Sequence, residues 1–181
     1  RREKMKKRDS TLGLVYAAMF GALTAAGAYI AIPIPPVPIT MQNLFAFLSA
    51  ALLGGRLAAL GQIIYILLGV MGLPVFAGGK AGFGVLMGPT GGYLAGYVAG
   101  AFVSGIMIEK KALPRFAWMA FSMAAGAAVI LLIGMVRLAF FLDIGLQKAF
   151  MLGVAPFVPG DVLKIAVAAF VAGKLKPKLR L

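Results

Sequence analysis

From Ser10 to Gly55 the chain carries no Asp, Glu, Lys or Arg, and the runs 57–79, 81–108 and 116–136 are equally free of charge. A bilayer core about 30 Å thick is crossed by around 20 apolar helical residues. Each run is long enough for one crossing, and the first is long enough for two. A soluble fold would need polar helix faces that these stretches do not offer. Hydrophobic residues make up 62% of the sequence, against roughly 45–50% in soluble domains. The pattern specifies an all-α integral membrane protein.

The formal net charge of +13 invites comparison with nucleic-acid binders, but its placement points elsewhere. Arg1, Arg2, Lys4, Lys6, Lys7 and Arg8 precede the first apolar run, and Lys174, Lys176, Lys178 and Arg180 follow the last. No stacking aromatics are interleaved with these cations. Basic flanks of this kind mark the cytoplasmic side of a membrane and meet anionic headgroups. Membrane lipid, not nucleic acid, is their expected partner. The chain has no cysteine and no histidine, which removes disulfides, thiolate nucleophiles, imidazole bases and the common zinc sites. No metal or cofactor is expected. The basic-then-apolar start resembles a signal peptide, yet its apolar run exceeds the usual 7–15 residues or so. It is expected to be the first helix of the mature protein.

Helix breakers divide the runs. Residues 1–10 read as a basic cytoplasmic tail and a first helix as about 11–32, ended by Pro33, Pro35, Pro36 and Pro38. Each proline removes an N–H donor and clashes with the preceding turn. Irregular backbone cannot face lipid, so the proline stretch must lie at the surface or line a cavity. A second helix covers about 41–53, Gly54-Gly55-Arg56 makes a tight return, and a third reaches about Val70. Residues 72–89 hold six glycines with Pro74 and Pro89, too glycine-rich for a helix and too apolar for a solvated linker. A fourth helix starts near Pro89, a favourable first-turn residue, and ends near Ile108. A fifth covers about 116–141, residues 143–152 read as an amphipathic connector, and a sixth runs over about 160–174. Six crossings put both termini, Arg56 and the Lys110-Lys111-Arg115 loop on the cytoplasmic side, which then holds fourteen of the eighteen cations. Five would strand the C-terminal cations outside. With no repeat or internal boundary, residues 1–181 read as one membrane domain.

Five features carry candidate chemistry. In Pro156-Phe-Val-Pro-Gly-Asp161-Val-Leu-Lys164 the prolines and glycine stop the last helix from extending backward. If Lys174 marks the cytoplasmic boundary, Asp161 and Lys164 lie below the outer surface, where ionisable groups are costly and usually face a cavity. Three residues apart, they share a helix face. They are either a dipole-favoured acid with a snorkelling lysine, or an acceptor–donor pair for a polar ligand. The glycine-rich stretch 72–93 can bring backbone close to a ligand, around Gly79 for example. Phe76, Phe83 and Tyr93 there offer apolar walls and Lys80 a cation; simple re-entrant packing is the alternative. Gly79-Lys80 is no phosphate loop, because Ala81 follows where Ser or Thr is needed. Thr40, Gln42 and Asn43 either cap the second helix or add hydrogen-bonding groups to the outer mouth. Ala18, Ala22 and Ala26 form a smooth stripe for close helix approach, inside the protein or against a partner subunit. Arg137, near the outer end of the fifth helix, either snorkels or contacts ligand.

Pro-Pro-Val-Pro-Ile-Thr-Met-Gln42, Gly72-Leu-Pro-Val-Phe-Ala-Gly-Gly, Gly88-Pro-Thr-Gly-Gly-Tyr93 and the 156–164 motif resemble, in order and over nearly the whole chain, the BioY family. These are the biotin-specific substrate-binding (S) components of energy-coupling factor (ECF) transporters. The resemblance implies a six-helix S-component fold with a biotin pocket near the outer face. It also implies a complex with a transmembrane coupling subunit and two ATP-binding-cassette ATPases in a bacterial or archaeal cell membrane. By it, Asp161 and Lys164 match the family's Asp-x-x-Lys substrate contacts, and Phe76 to Lys80 the loop closing over the ligand. Ala18 and Ala22 match the stripe touching the coupling subunit. The family more often has arginine near position 80 and a large apolar residue near 137, so either Lys80 or Arg137 is open as the partner of the valerate carboxylate. The rivals are an importer of another small vitamin, a membrane-embedded enzyme, for which no nucleophile–base pair is evident, and a structural subunit. No ATP-binding motif occurs, so uphill transport needs energy from partners, unless the chain acts alone as an oligomer.

Overall fold

The computed structural model describes residues 2–111 and 115–178; the side chains of residues 2–10 and of Lys178 lie outside the description, as do Arg1 and Arg180 entirely. The described chain forms α1 (Arg2–Tyr29), β1 (Ala31–Ile32), β2 (Ile39–Thr40), α2 (Gln42–Leu53), α3 (Gly55–Val70), α4 (Phe83–Met87), α5 (Gly91–Glu109), α6 (Phe116–Leu142), α7 (Leu146–Gly153) and α8 (Val158–Leu175). Helix dominates, as the charge-free runs require.

Several boundaries differ from the sequence reading for local reasons. Helical backbone begins at Arg2, inside the stretch read as a tail, and ends at Tyr29, short of Ile32. Ala31 pairs with Thr40 and Ile32 with Ile39 in a short antiparallel hairpin. The four prolines occupy its turn, where a missing N–H leaves no ladder bond unmade. The glycine-rich stretch is not wholly irregular: it contains a 3-10 turn at Ala77–Gly79 and the five-residue α4. Gly78, Gly79 and Gly82 take positive φ and interrupt it. The connector after Asp143 is a true helix, α7. The following helix starts at Val158 rather than Gly160, because Pro159 sits in its first turn, where no N–H partner is required.

Three helical stretches, Thr11–Tyr29, α5 and α6, are long and apolar enough to cross a membrane singly. α7 and α8, bent by 50° at their junction, pass that test together. α2 and α3 are apolar but have 12 and 16 residues, about 18 and 24 Å at 1.5 Å per residue. α2 and α3 keep the bounds read from the sequence, because the break at Gly54 comes early.

Small residues set the packing. A Cβ on Gly61 would lie 2.8 Å from the Ala17 carbonyl, so α1 and α3 touch backbone to backbone. One on Gly96 would lie 2.9 Å from the Ile130 Cα, and α5 and α6 are the most extensively packed pair. Without a hydrophobic drive between helices in lipid, such close approach is what holds a bundle together. Large apolar residues are turned outward instead, among them Phe121, Phe140, Leu163 and Phe170. α2 sits against α1, α3, α5 and α8, which makes it the wall from which the site is built.

Candidate ligand-binding cavity

Between α2, α5, α6, α8, the hairpin and residues 76–90 lies a cavity of about 560 Å³. Its floor is polar. Asp161, in the first turn of α8, and Lys164, one turn on, face the same way and are both nearly fully buried. Asn43 of α2 joins them: its Nδ2 donates to Asp161 Oδ1, and its Oδ1 accepts from Lys164 Nζ at 2.9 Å. Lys164 Nζ also donates to the Thr40 carbonyl at 2.7 Å and lies 3.5 Å from Asp161 Oδ1. An ammonium has three hydrogens, and these three acceptors use them all. Asp161 Oδ2 takes no part in these bonds, and the residue lines the cavity. Beside the floor, Thr40 Oγ1 donates to Gln42 Oε1 at 2.8 Å and Gln42 Nε2 donates to Tyr65 Oη, which pins the amide from both ends.

The walls are apolar and aromatic. Tyr93 donates to the Gly153 carbonyl at 2.7 Å and stacks on Phe157 with ring centroids 5.9 Å apart. Tyr97, Ile130 and Leu131 continue the lining. Phe76, 1% exposed, stands edge-on to Tyr65 at 5.7 Å and closes one side. The mouth is loop. Phe76 N–H donates to the Lys80 carbonyl at 3.0 Å and Gly82 N–H to the Gly69 carbonyl at 2.7 Å, while Tyr29 Oη donates to the Pro74 carbonyl. Lys80 lines the cavity, is exposed, and makes no ion pair among the described residues.

Of the candidate residues, Asp161, Lys164, Phe76, Lys80, Tyr93, Thr40 and Gln42 meet around this one cavity. Gly79 does not line it: it is exposed and its N–H is spent on the Phe76 carbonyl at 3.0 Å. Arg137 does not either. It packs against Gly92 and donates to the Met87 carbonyl, which puts it behind the loop, in a separate groove. Tyr65, Tyr97 and Phe157 went unremarked in the sequence. Phe157 lies within the 156–164 motif and Tyr97 one helical turn after Tyr93, so both had a signal; Tyr65 had none. Ala18, Ala22 and Ala26 are exposed, while Ala17, Gly21, Thr24 and Ala28 face inward.

Such a site suits a small ligand with a hydrogen-bond donor to meet Asp161 and an apolar body to fill aromatic walls. A family model, that of the BioY family, matches residues 2–181. The chain belongs to the BioY family. Among curated BioY relatives, the biotin transporter BioY of Thermotoga maritima is 48% identical over 90% of this chain and 95% of its own length. The probable biotin transporter BioY of Pyrococcus horikoshii is 40% identical over 95% and 98%. A solved structure, the S-component for biotin from an ECF-type ABC transporter, superposes with a TM-score of 0.85 over 94% of this BioY chain and 93% of its own, at 24% identity. The fold is thus the S-component fold.

Proposed function

We propose that this chain binds biotin in the cavity and is the substrate-specific subunit of an ECF-type importer. The observation that carries the reading is the polar floor under aromatic walls, in a member of a family whose curated relatives are named biotin transporters. Biotin presents two ureido N–H donors, one ureido oxygen, an apolar bicycle and a valerate carboxylate. Asp161 Oδ2 accepts a ureido N–H. Because the hydrogens of Lys164 are engaged, its main work is to neutralise and hold Asp161, and the second amide hydrogen of Asn43 serves the ureido oxygen. Phe76, Tyr93 and Phe157 pack the rings, and Lys80 at the mouth meets the valerate.

In this reading the chain crosses a bacterial or archaeal cell membrane six times with both termini in the cytoplasm. It performs no chemistry on its ligand. A transmembrane coupling subunit docks on the Ala18, Ala22 and Ala26 stripe, and two ABC-type ATPases supply the energy.

Purification from biotin-rich medium followed by mass spectrometry should find biotin bound, and calorimetry across a panel of vitamins should rank biotin first by a wide margin. A different vitamin ranking first would move the chain to another S-component specificity. Saturable binding of none would support a structural subunit.

A further inference from the structure

Away from the ligand cavity, α5 and α6 enclose an open groove of about 570 Å³, lined among others by Gly92, Ala95, Ile133, Val136, Arg137 and Phe140. It follows α6 from Leu132 to Phe140, about 12 Å at 1.5 Å per residue. Glycine and alanine on α5 supply a shallow base, while Leu132, Val136 and Phe140, the last 80% exposed, form a ridge beside it. Everything along its length is apolar except its end. There the Arg137 guanidinium donates, among the described residues, to the Met87 carbonyl alone. Among the described residues the one ion pair is Lys164–Asp161, so no carboxylate balances Arg137. A guanidinium offers five N–H donors in a planar fork matched to phosphate oxygens, and an uncompensated cation beside an apolar channel needs an anion or water.

We infer that this groove is a phospholipid site, with one acyl chain lying along α5 and α6 and the lipid phosphate on Arg137. The occupant is set by two complementary features in one place: an apolar channel open sideways, and a single cation at its outer end. A soluble phosphate would leave the channel empty, and a neutral lipid would leave the cation unmet. Since Arg137 also holds the carbonyl at the end of α4, the lipid headgroup sits on the outer face of the loop that borders the ligand cavity. The site stands whatever the ligand of that cavity is.

The test uses the full chain, delipidated in detergent, with native mass spectrometry counting bound phosphatidylglycerol as it is titrated back. Diacylglycerol with the same acyl chains and free glycerol phosphate serve as controls. One phosphatidylglycerol should bind ahead of all others, while glycerol phosphate should not bind and diacylglycerol should bind at least tenfold more weakly. Arg137→Gln should bring phosphatidylglycerol down to the diacylglycerol level. Ala95→Phe, which fills the channel and leaves the cation, should weaken both lipids. Wild-type helical circular dichroism and a cooperative thermal unfolding transition in both variants would show them folded. Phosphatidylglycerol binding that is equal in the wild type and both variants would overturn the site, as would equal binding of the two lipids to the wild type.

Discussion

The floor and the mouth of the cavity both place a lysine next to a ligand space, but they are built differently. At the floor, Lys164 and Asp161 stand on α8, Asn43 on α2, and the two helices pack against each other. Nearly every donor there is already satisfied within the protein. At the mouth, Lys80 rises from a glycine-interrupted loop, exposed and without an ion pair among the described residues. A buried network on rigid elements recognises a ligand by fixed geometry and exacts a large cost when one member is removed. A solvated cation on a loop attracts charge and contributes little free energy. In the proposed reading, selectivity belongs to the first region and access to the second.

The largest expected effect tests the floor as a unit. Lys164→Met leaves a buried carboxylate without its cation and should destabilise the protein by about 3–5 kcal/mol. The double variant Asp161→Asn/Lys164→Met removes both charges and should recover most of that loss, yet bind no biotin. Thermal unfolding in detergent, with calorimetry, separates the two outcomes. If the double variant is as unstable as the single, the pair is not the compensating unit described above.

Next comes Asp161→Ala, which should weaken biotin binding by about 100-fold or more while the chain still inserts. A hydrogen bond to a charged acceptor is worth about 1.5–3 kcal/mol, and the variant also leaves Lys164 without its counter-charge. Near-normal affinity would remove Asp161 from the site. At the mouth, Lys80→Ala should cost about fivefold or less, the scale of an exposed ion pair. That loss should shrink in high salt and vanish with an uncharged biotin amide, because exposed charges are screened over about 8 Å at physiological ionic strength. A salt-independent loss as large as that of Asp161→Ala would erase the difference between floor and mouth.

The same contrast explains which parts of the site are legible in the sequence. Asp161 and Lys164 stood out because proline and glycine fix where α8 starts, and a charge-free run makes any ionisable residue conspicuous. Asn43 was visible only as part of a polar cluster: its partner Asp161 lies 118 residues away, and no local pattern encodes that meeting. The hairpin was missed because four prolines announce where helix stops, not which flanking residues then pair. Gly79 and Arg137 were misplaced for a related reason. Composition put both near the outer end, but which side of the loop each occupies depends on positive φ at Gly78, Gly79 and Gly82 and on the close approach of α6 to Gly92. That both lie near the loop between α3 and α5 was legible; the direction each faces was not.

The smallest effect should come from the hinge between the two regions. Tyr29, at the end of α1, donates to the Pro74 carbonyl on the surface of the molecule, tying the loop to the bundle without itself lining the cavity. A neutral hydrogen bond contributes about 1 kcal/mol net, and less when water can replace it. Tyr29→Phe should therefore leave equilibrium affinity within about threefold, with any change falling in the rate of biotin release if the loop opens for the ligand to leave. Hydrogen exchange gives the sharper reading. The amides of Phe76 and Gly82, bonded to Lys80 and Gly69, should exchange faster in the variant, and amides of α2 and α8 should not change. Faster exchange spreading into α8 would mean that floor and mouth open together, and the division of labour argued from their construction would fail.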